Sequence, residues 1–222
     1  LALRGLHDRA MNASNNMDDR KKMLQEALMA QRQMLVDAIG KRAEDIPQAF
    51  TPYKEVLDVY DQGLELPDDV TIIWPDDNYG YMKRLSSPKE QKRSGRSGVY
   101  YHSSYLGKPH DHLWMNTTSP TLMYEELRKA YDLTADRIWL LNAGDIKSCE
   151  FAVDYFLTMA FDIDSFNFER AANYRTEWLC GMLGNDYRNE YQDVINSFYK
   201  LAFARKPEFM GWGYQWATDK HG

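Results

Sequence analysis

VTIIWPDDNYGY, residues 70–81, decides the reading of the fold. Its first five residues are almost wholly apolar and rich in β-branched side chains, which is the composition of a parallel strand covered on both faces. The run then breaks at Trp74-Pro75 into Asp76, Asp77 and Asn78, side chains of catalytic type. The same unit recurs along the chain. LALRG (1–5) carries Arg4 and leads to Asp8, QAFTPY (48–53) leads through Tyr53 to Glu55, GVYYH (98–102) carries Tyr100 and His102, and RIWLLN (137–142) ends at Asn142 and leads to Asp145. Parallel strands that gather reactive side chains at their C-terminal ends, with helices between them, are the pattern of a β/α barrel.

A closed eight-stranded barrel takes about 250 residues, and five strands can be counted here. The expectation is therefore an α/β fold, the C-terminal five strands of a (β/α)8 TIM-type barrel, with the first three strands upstream. The chain opens on Leu1, within what reads as a strand, and shows no basic, apolar and small-residue succession of a signal peptide. Its natural N-terminus, and any targeting signal, is expected upstream. A sheet cut in this way has open edges that another segment must cover.

Helical spacing fills the intervals. From 17 to 39, Leu24, Leu28, Leu35 and Ala38 repeat on one face, and Gly40 stops the helix. Residues 53–60 begin a short helix that Gly63 ends, Ser119-Pro120 opens another through about 131, and 150–161 pack back as a fourth. From about residue 164 the strand signal vanishes, and 166–182 and 186–204 read as two amphipathic helices joined by Gly184-Asn185. The simplest division is a partial catalytic barrel over 1–163 and the start of a helical bundle over 164–222. The loop 76–98 is longer than usual connections. Its aromatic and acidic start is expected to be ordered and its glycine- and charge-rich end mobile, with the basic stretch 89–96 a solvated face.

Composition narrows the function classes. Of 222 residues, 44% are hydrophobic and 27% charged, enough to bury a real core. A net charge of -6 and a pI near 5.4 argue against a nucleic-acid surface. No apolar run reaches the length of a membrane span. Cys149 and Cys180 both sit in helical patterns and read as core thiols, which says little about compartment. No GxGxxG, Walker or GxSxG motif occurs, so nucleotide and serine-hydrolase readings fall away. His102, His110 and His112 lie close in sequence, but no cysteine or HExxH helix accompanies them, so neither metal nor cofactor is expected.

The strand tips also carry a resemblance. RGLHD (4–8), TPYKEV (51–56), WPDDNYGYMKRLS (74–86), GVYYHSSYLG (98–107), LWMNTTSP (113–120) and NAGDIKSCE (142–150) resemble glycoside hydrolase family 115. WPDDNYGY followed by VYYH is the most specific part. The resemblance implies a xylan α-1,2-glucuronidase that removes glucuronic acid or its 4-O-methyl form by inversion, acting on glucuronoxylan or aldouronic oligosaccharides. It further implies a secreted or periplasmic parent that is a homodimer.

Inverting hydrolysis needs a protonated carboxyl for the leaving oxygen and an ionised one to activate water, roughly 6.5–9.5 Å apart. Asp8, Glu55, Asp76 and Asp77 are the carboxyls that follow strands. Asp8 and Glu55 sit on neighbouring strands, and the resemblance favours the same two, so they are the expected catalytic pair. Which is acid and which is base depends on burial. The plainer readings are a helix cap or an ion pair with Arg4 for Asp8, and a first-turn helix acid for Glu55. Asp77 reads as a structural turn acid. A uronate calls for hydrogen-bond donors, and Arg4, Tyr100 and His102 meet that need. Tyr100 and His102, two apart in a strand, point to one side while Tyr101 points into the helical layer. His102 also has the plainer reading of a satisfied core histidine. Tyr53 holds the sugar or orients Glu55, Asp76 and Asn78 share a side and take sugar hydroxyls, and Asn116 and Asn142 are weaker rim candidates. Tyr79, Tyr81 and Trp114 either stack on sugar or pack the loops, with packing favoured. The rival is a non-catalytic relative that binds acidic carbohydrate, and the isolated 222 residues are expected to be inactive.

Overall fold

The computed structural model describes residues 16–107 and 110–209. The LALRG segment, with Arg4 and Asp8, lies outside the described residues. Four strands, β1 (Ala49–Phe50), β2 (Thr71–Pro75), β3 (Ser97–His102) and β4 (Trp139–Asn142), form one sheet in the order β1-β2-β3-β4. β1 runs parallel to β2, and β2 parallel to β3, with Trp74 opposite Val99 and Pro75 opposite Tyr100. The helices are α1 (Met17–Ile39), α2 (Glu55–Asp61), α3 (Pro120–Asp132), α4 (Ile146–Phe161), α5 (Phe168–Leu183) and α6 (Arg188–Ala204). The described residues thus show a mixed α/β fold in which four of the five expected strands appear in sequence order.

The chain forms two compact units. The first takes the residues through Pro75 together with Lys83–Tyr100 and Ala130–Trp139, and the second takes Asp76–Met82, Tyr101–Lys129 and the residues from Leu140 onward. The divisions fall after the last residue of β2, within β3 after Tyr100 and after the first residue of β4, so Asp76, His102 and Asn142 belong to the second unit.

The first unit has its core between α1, α2 and the strands. Asn16 caps α1 by accepting the Asp18 N–H at 2.9 Å, and Gly40, at φ 72°, closes it by donating to the Val36 carbonyl at 2.8 Å. Leu24 and Leu28 are buried with Phe50, Val56, Val59, Leu64 and Val70, and burying each such side chain stabilises by roughly 1.5–3 kcal/mol before entropy is deducted. Beyond Leu28 the buried stripe continues to Arg32, not to Ala38 as the periodicity predicts. Arg32 pairs with Asp69 at 2.7 Å, so the apolar period stops where an ion pair takes over. β2 is buried along its last four residues, as expected of a two-sided strand. Gly98 lets backbones meet: a Cβ there would stand 2.0 Å from the Ile138 carbonyl oxygen.

The charged end of the long loop departs from the expected mobile, solvated run. Lys89 and Lys92 are exposed, but the Arg93 guanidinium donates to the carbonyls of Leu66, Pro67 and Val70 at 3.2, 2.6 and 3.1 Å. Arg96 pairs with Asp136 through two bonds, and Glu90 accepts from Tyr60, Arg84 and the Ser87 N–H, each at 2.8 Å. Backbone carbonyls of the preceding turn select Arg93 and a distant carboxylate selects Arg96, demands invisible in a charge count.

The second unit is built on aromatic packing. Tyr101 stacks on Phe156 of α4 at 6.3 Å and donates its hydroxyl to the Gly80 carbonyl at 2.9 Å, so Tyr101 does point into the helical layer. Tyr155, Phe166 and Tyr174 pack mutually at 5.0–5.7 Å and join α5 to α4. α4 starts at Ile146, four residues before the expected start, because the Asp145 carbonyl accepts the N–H groups of Ser148 and Cys149. Cys149 and Cys180 are both buried free thiols.

Candidate active site

In the first unit, the turn after β1 leads directly into α2. The Tyr53 carbonyl accepts the Val56 N–H at 3.2 Å, and Lys54 between them holds φ 52°, ψ -124°. A non-glycine residue in that region carries strain of about 1–3 kcal/mol, and this one immediately precedes Glu55, the first residue of α2. The Glu55 side chain is half-buried at the positive end of the helix. Tyr53 meets Tyr100 of β3 edge-on, ring centroids 5.8 Å apart. This unit therefore brings together Tyr53 and Tyr100 beside the turn that presents Glu55.

In the second unit, Asp76 organises the tips of β2 and β3. It is 1% exposed. Its Oδ1 meets His102 Nδ1 at 2.5 Å and accepts the Asn78 N–H at 3.0 Å, and its Oδ2 accepts the His102 N–H at 3.1 Å and the Gly80 N–H at 3.3 Å. A carboxylate only accepts, so the Nδ1 proton lies on the Asp76 side and the imidazole is fixed in tautomer and orientation. The expectation that Asp76 itself holds sugar hydroxyls is corrected here, because both its oxygens are taken by the protein. The shared aim of Asp76 and Asn78 is corrected too. Asn78 adopts φ 73°, a left-handed turn that ends strand alternation, and its carbonyl accepts from His112 Nε2 at 2.6 Å.

Asp77 is the structural turn acid expected, with Oδ1 accepting the N–H groups of Tyr79 and Tyr81 at 2.8 and 3.1 Å. His102 stands edge-on to Tyr105, with ring centroids 5.7 Å apart. Asn116, at φ 49°, gives its amide N–H groups to the carbonyls of Trp114 and Ser148. Its Oδ1 is buried without a hydrogen-bond partner among the described residues. The Asn142 carbonyl serves the sheet, accepting from the Ser103 N–H and hydroxyl, both at 3.0 Å. Tyr79 packs as expected, donating its hydroxyl to the His110 carbonyl at 2.7 Å, whereas Tyr81 and Trp114 are 45% and 68% exposed.

The three histidines serve separate ends. His102 faces Asp76, His110 packs on Phe209 with rings 4.5 Å apart, and His112 is buried beside Tyr79 at 5.3 Å. Burial pushes the His112 imidazole below its ordinary pKa, the Asn78 carbonyl opposing. Sequence reasoning missed His112 and Glu126. Glu126 is buried and accepts the Met82 N–H at 2.9 Å, which ties down the end of the Asp76–Met82 loop. His112 stood in the sequence only among the three close histidines weighed for metal, and the i,i+3 pair of Glu126 with Lys129 reads as a surface ion pair, while the Met82 N–H that it also accepts is 44 residues away in sequence.

The tips thus hold a carboxylate-oriented histidine in one unit and a tyrosine pair beside a helix-start glutamate in the other. The description "glycosyl hydrolase family 115" matches residues 1–209. A solved structure, a family GH115 4-O-methyl-α-glucuronidase with specificity for decorated arabinogalactans, is 42% identical with a TM-score of 0.88. That likeness covers 95% of this chain and 28% of the other, so the chain spans little more than a quarter of the length of that relative. No curated protein matches. With residues 1–209 matched by the family and a solved member 42% identical over 95% of the chain, the chain belongs to glycosyl hydrolase family 115.

Proposed function

We propose that the full-length protein is a glycoside hydrolase that releases glucuronic acid or 4-O-methylglucuronic acid from polysaccharide side chains by inversion, within a (β/α)8 barrel to which this chain gives the C-terminal strands. Glucuronoxylan and aldouronic oligosaccharides are the substrates. The observation that carries the reading is the Asp76–His102 pair at the tips of β2 and β3, in a chain of this family. A buried carboxylate that fixes an imidazole through one oxygen and the backbone of the same histidine through the other is more than a core histidine needs.

Glu55 and Asp8 act as the acid and base pair. One donates its proton to the glycosidic oxygen as the bond from the anomeric carbon breaks. The other takes a proton from the water whose oxygen forms the new bond from the opposite face. His102, Tyr100, Tyr53 and Arg4 hold the uronate and ring oxygens, Asn116 contributes its Oδ1 at the rim, and Asn78 lies in the loop that presents them. Asp76 is a positioning residue, acting through His102. The helical segment from 164 onward opens the next domain.

The test is release of the free acid from aldouronic oligosaccharides by the full-length protein. Activity is expected, and Glu55→Ala is expected to lower it by about 10²- to 10⁴-fold. Tight binding without release would favour a non-catalytic relative that holds acidic carbohydrate. Release from decorated arabinogalactan but not from xylan would keep the chemistry and replace the substrate.

A further inference from the structure

His112 is 2% exposed, and its ring and its backbone are committed to two different strand tips. The ring donates from Nε2 to the Asn78 carbonyl at 2.6 Å, in the loop that follows β2. A carbonyl only accepts, so the proton of this imidazole lies on Nε2. The backbone pairs with Tyr105, beyond the end of β3. The Tyr105 N–H donates to the His112 carbonyl at 2.7 Å, and the His112 N–H donates to the Tyr105 carbonyl at 2.9 Å.

These contacts close into a circuit. Asn78, held by its carbonyl, gives its own N–H to Asp76 Oδ1 at 3.0 Å. The same Oδ1 meets His102 Nδ1 at 2.5 Å. His102 stands edge-on to Tyr105, with ring centroids 5.7 Å apart, and the Tyr105 backbone returns to His112. All five residues belong to the second unit. Other groups also hold the loop, the Tyr101 hydroxyl at the Gly80 carbonyl and Glu126 at the Met82 N–H. His112 differs from them in gripping the residue whose N–H shares the oxygen that faces His102. Asn78 also sits at φ 73°, a left-handed conformation that the surrounding bonds must hold. Water could serve a half-buried loop carbonyl and would let it move, whereas a buried imidazole fixes it in one place.

We infer that His112 is a positioning residue of the hydrolase site: by gripping the Asn78 carbonyl it holds the Asp76 carboxylate in the geometry that orients His102. The inference rests on the hydrolase reading above and adds to it a residue that acts only through others.

Two variants of the full-length protein test it. His112→Leu removes the donor, and His112→Gln keeps an N–H donor on a side chain able to reach the same carbonyl. For uronate release from aldouronic oligosaccharides, kcat/KM is expected to fall about tenfold or more in His112→Leu and to stay within about threefold of wild type in His112→Gln. In an Asp76→Asn background, where His102 has already lost its orientation, His112→Leu is expected to cost less than about twofold further. Backbone hydrogen exchange read by mass spectrometry is expected to quicken about tenfold or more across residues 77–82 in His112→Leu and to stay unchanged across β2. Wild-type activity in His112→Leu, a loss that His112→Gln shares in full, an undiminished effect in the Asp76→Asn background, or exchange that quickens equally in β2 each overturns the inference. Should His112→Leu fail to fold, the imidazole ¹⁵N shifts of the wild-type protein, assigned with His112→Gln, still decide: a proton on Nε2 is expected, and a proton on Nδ1 overturns the inference. A wild-type protein that releases no uronate defeats the hydrolase reading, while exchange across the loop continues to decide whether His112 holds it.

Discussion

Replacing Asp76 by asparagine probes the arrangement at the strand tips with the smallest change of shape. The carboxylate accepts four hydrogen bonds, two on each oxygen, and an amide has only one accepting oxygen to offer. If the amide nitrogen stands where Oδ2 was, it confronts the backbone N–H groups of His102 and Gly80. Two buried donors then go unmet, at about 1–3 kcal/mol each, or about 2–6 kcal/mol together. If it stands where Oδ1 was, only the Asn78 N–H is orphaned, at about 1–3 kcal/mol, because the imidazole escapes by moving its proton from Nδ1 to Nε2 and accepting from the amide. The second arrangement costs less, so Asp76→Asn is expected to fold, to lose about 1–3 kcal/mol, and to reverse the His102 tautomer. Denaturant unfolding of the full-length protein measures the first quantity. Imidazole ¹⁵N shifts of histidine-labelled protein, assigned with His102→Gln, measure the second. Activity should fall by about 10²-fold or more, as it does when an amide misorients a catalytic histidine. A variant within about 0.5 kcal/mol of wild type that keeps the proton on Nδ1 would refute the reasoning, since the carboxylate's bonds to the ring and to the three backbone N–H groups would then not be what orders the strand tips.

Gly98→Ala should cost about 3 kcal/mol or more, because its Cβ would stand 2.0 Å from a backbone oxygen that cannot rotate away; a loss under about 1 kcal/mol by urea melting would contradict that approach of backbones. Gly40→Ala meets nothing within 4 Å but must adopt φ 72°, so its loss should be only about 1 kcal/mol, and the two glycines should separate cleanly in one assay. His112 has a folded pKa lowered by burial, so the unfolded chain binds the proton more readily. Its stabilising contribution is therefore full above the unfolded value of about 6.5 and is lost as pH falls through the lower folded value. His112→Gln should flatten that part of the stability–pH curve, and an unchanged slope would remove His112 as its source.

Much of the fold could be read from local pattern. α1 occupies the span its spacing predicts, ending at Gly40, and α3 begins at the proline that follows Ser119. β2 shows because a strand buried on both faces cannot hide its apolar run. Arg93 was misread because its three carbonyl partners belong to a turn more than twenty residues earlier. The site divides in the same way. His102 and Asp76 were legible as candidates, but the sequence placed both against substrate, and only coordinates show one of them spent on orienting the other.

By itself, then, the chain determined its alternation of strands and helices, its family, and which polar residues stand at strand tips, because each depends on neighbours within a turn or two. Tertiary structure alone decided that Asp76 serves His102, that Asn78 turns away in a left-handed bend, and that His112 grips the Asn78 carbonyl. Those outcomes turn on which buried donors and acceptors meet across tens of residues, and an unmet polar group inside a protein is too costly for local preference to overrule.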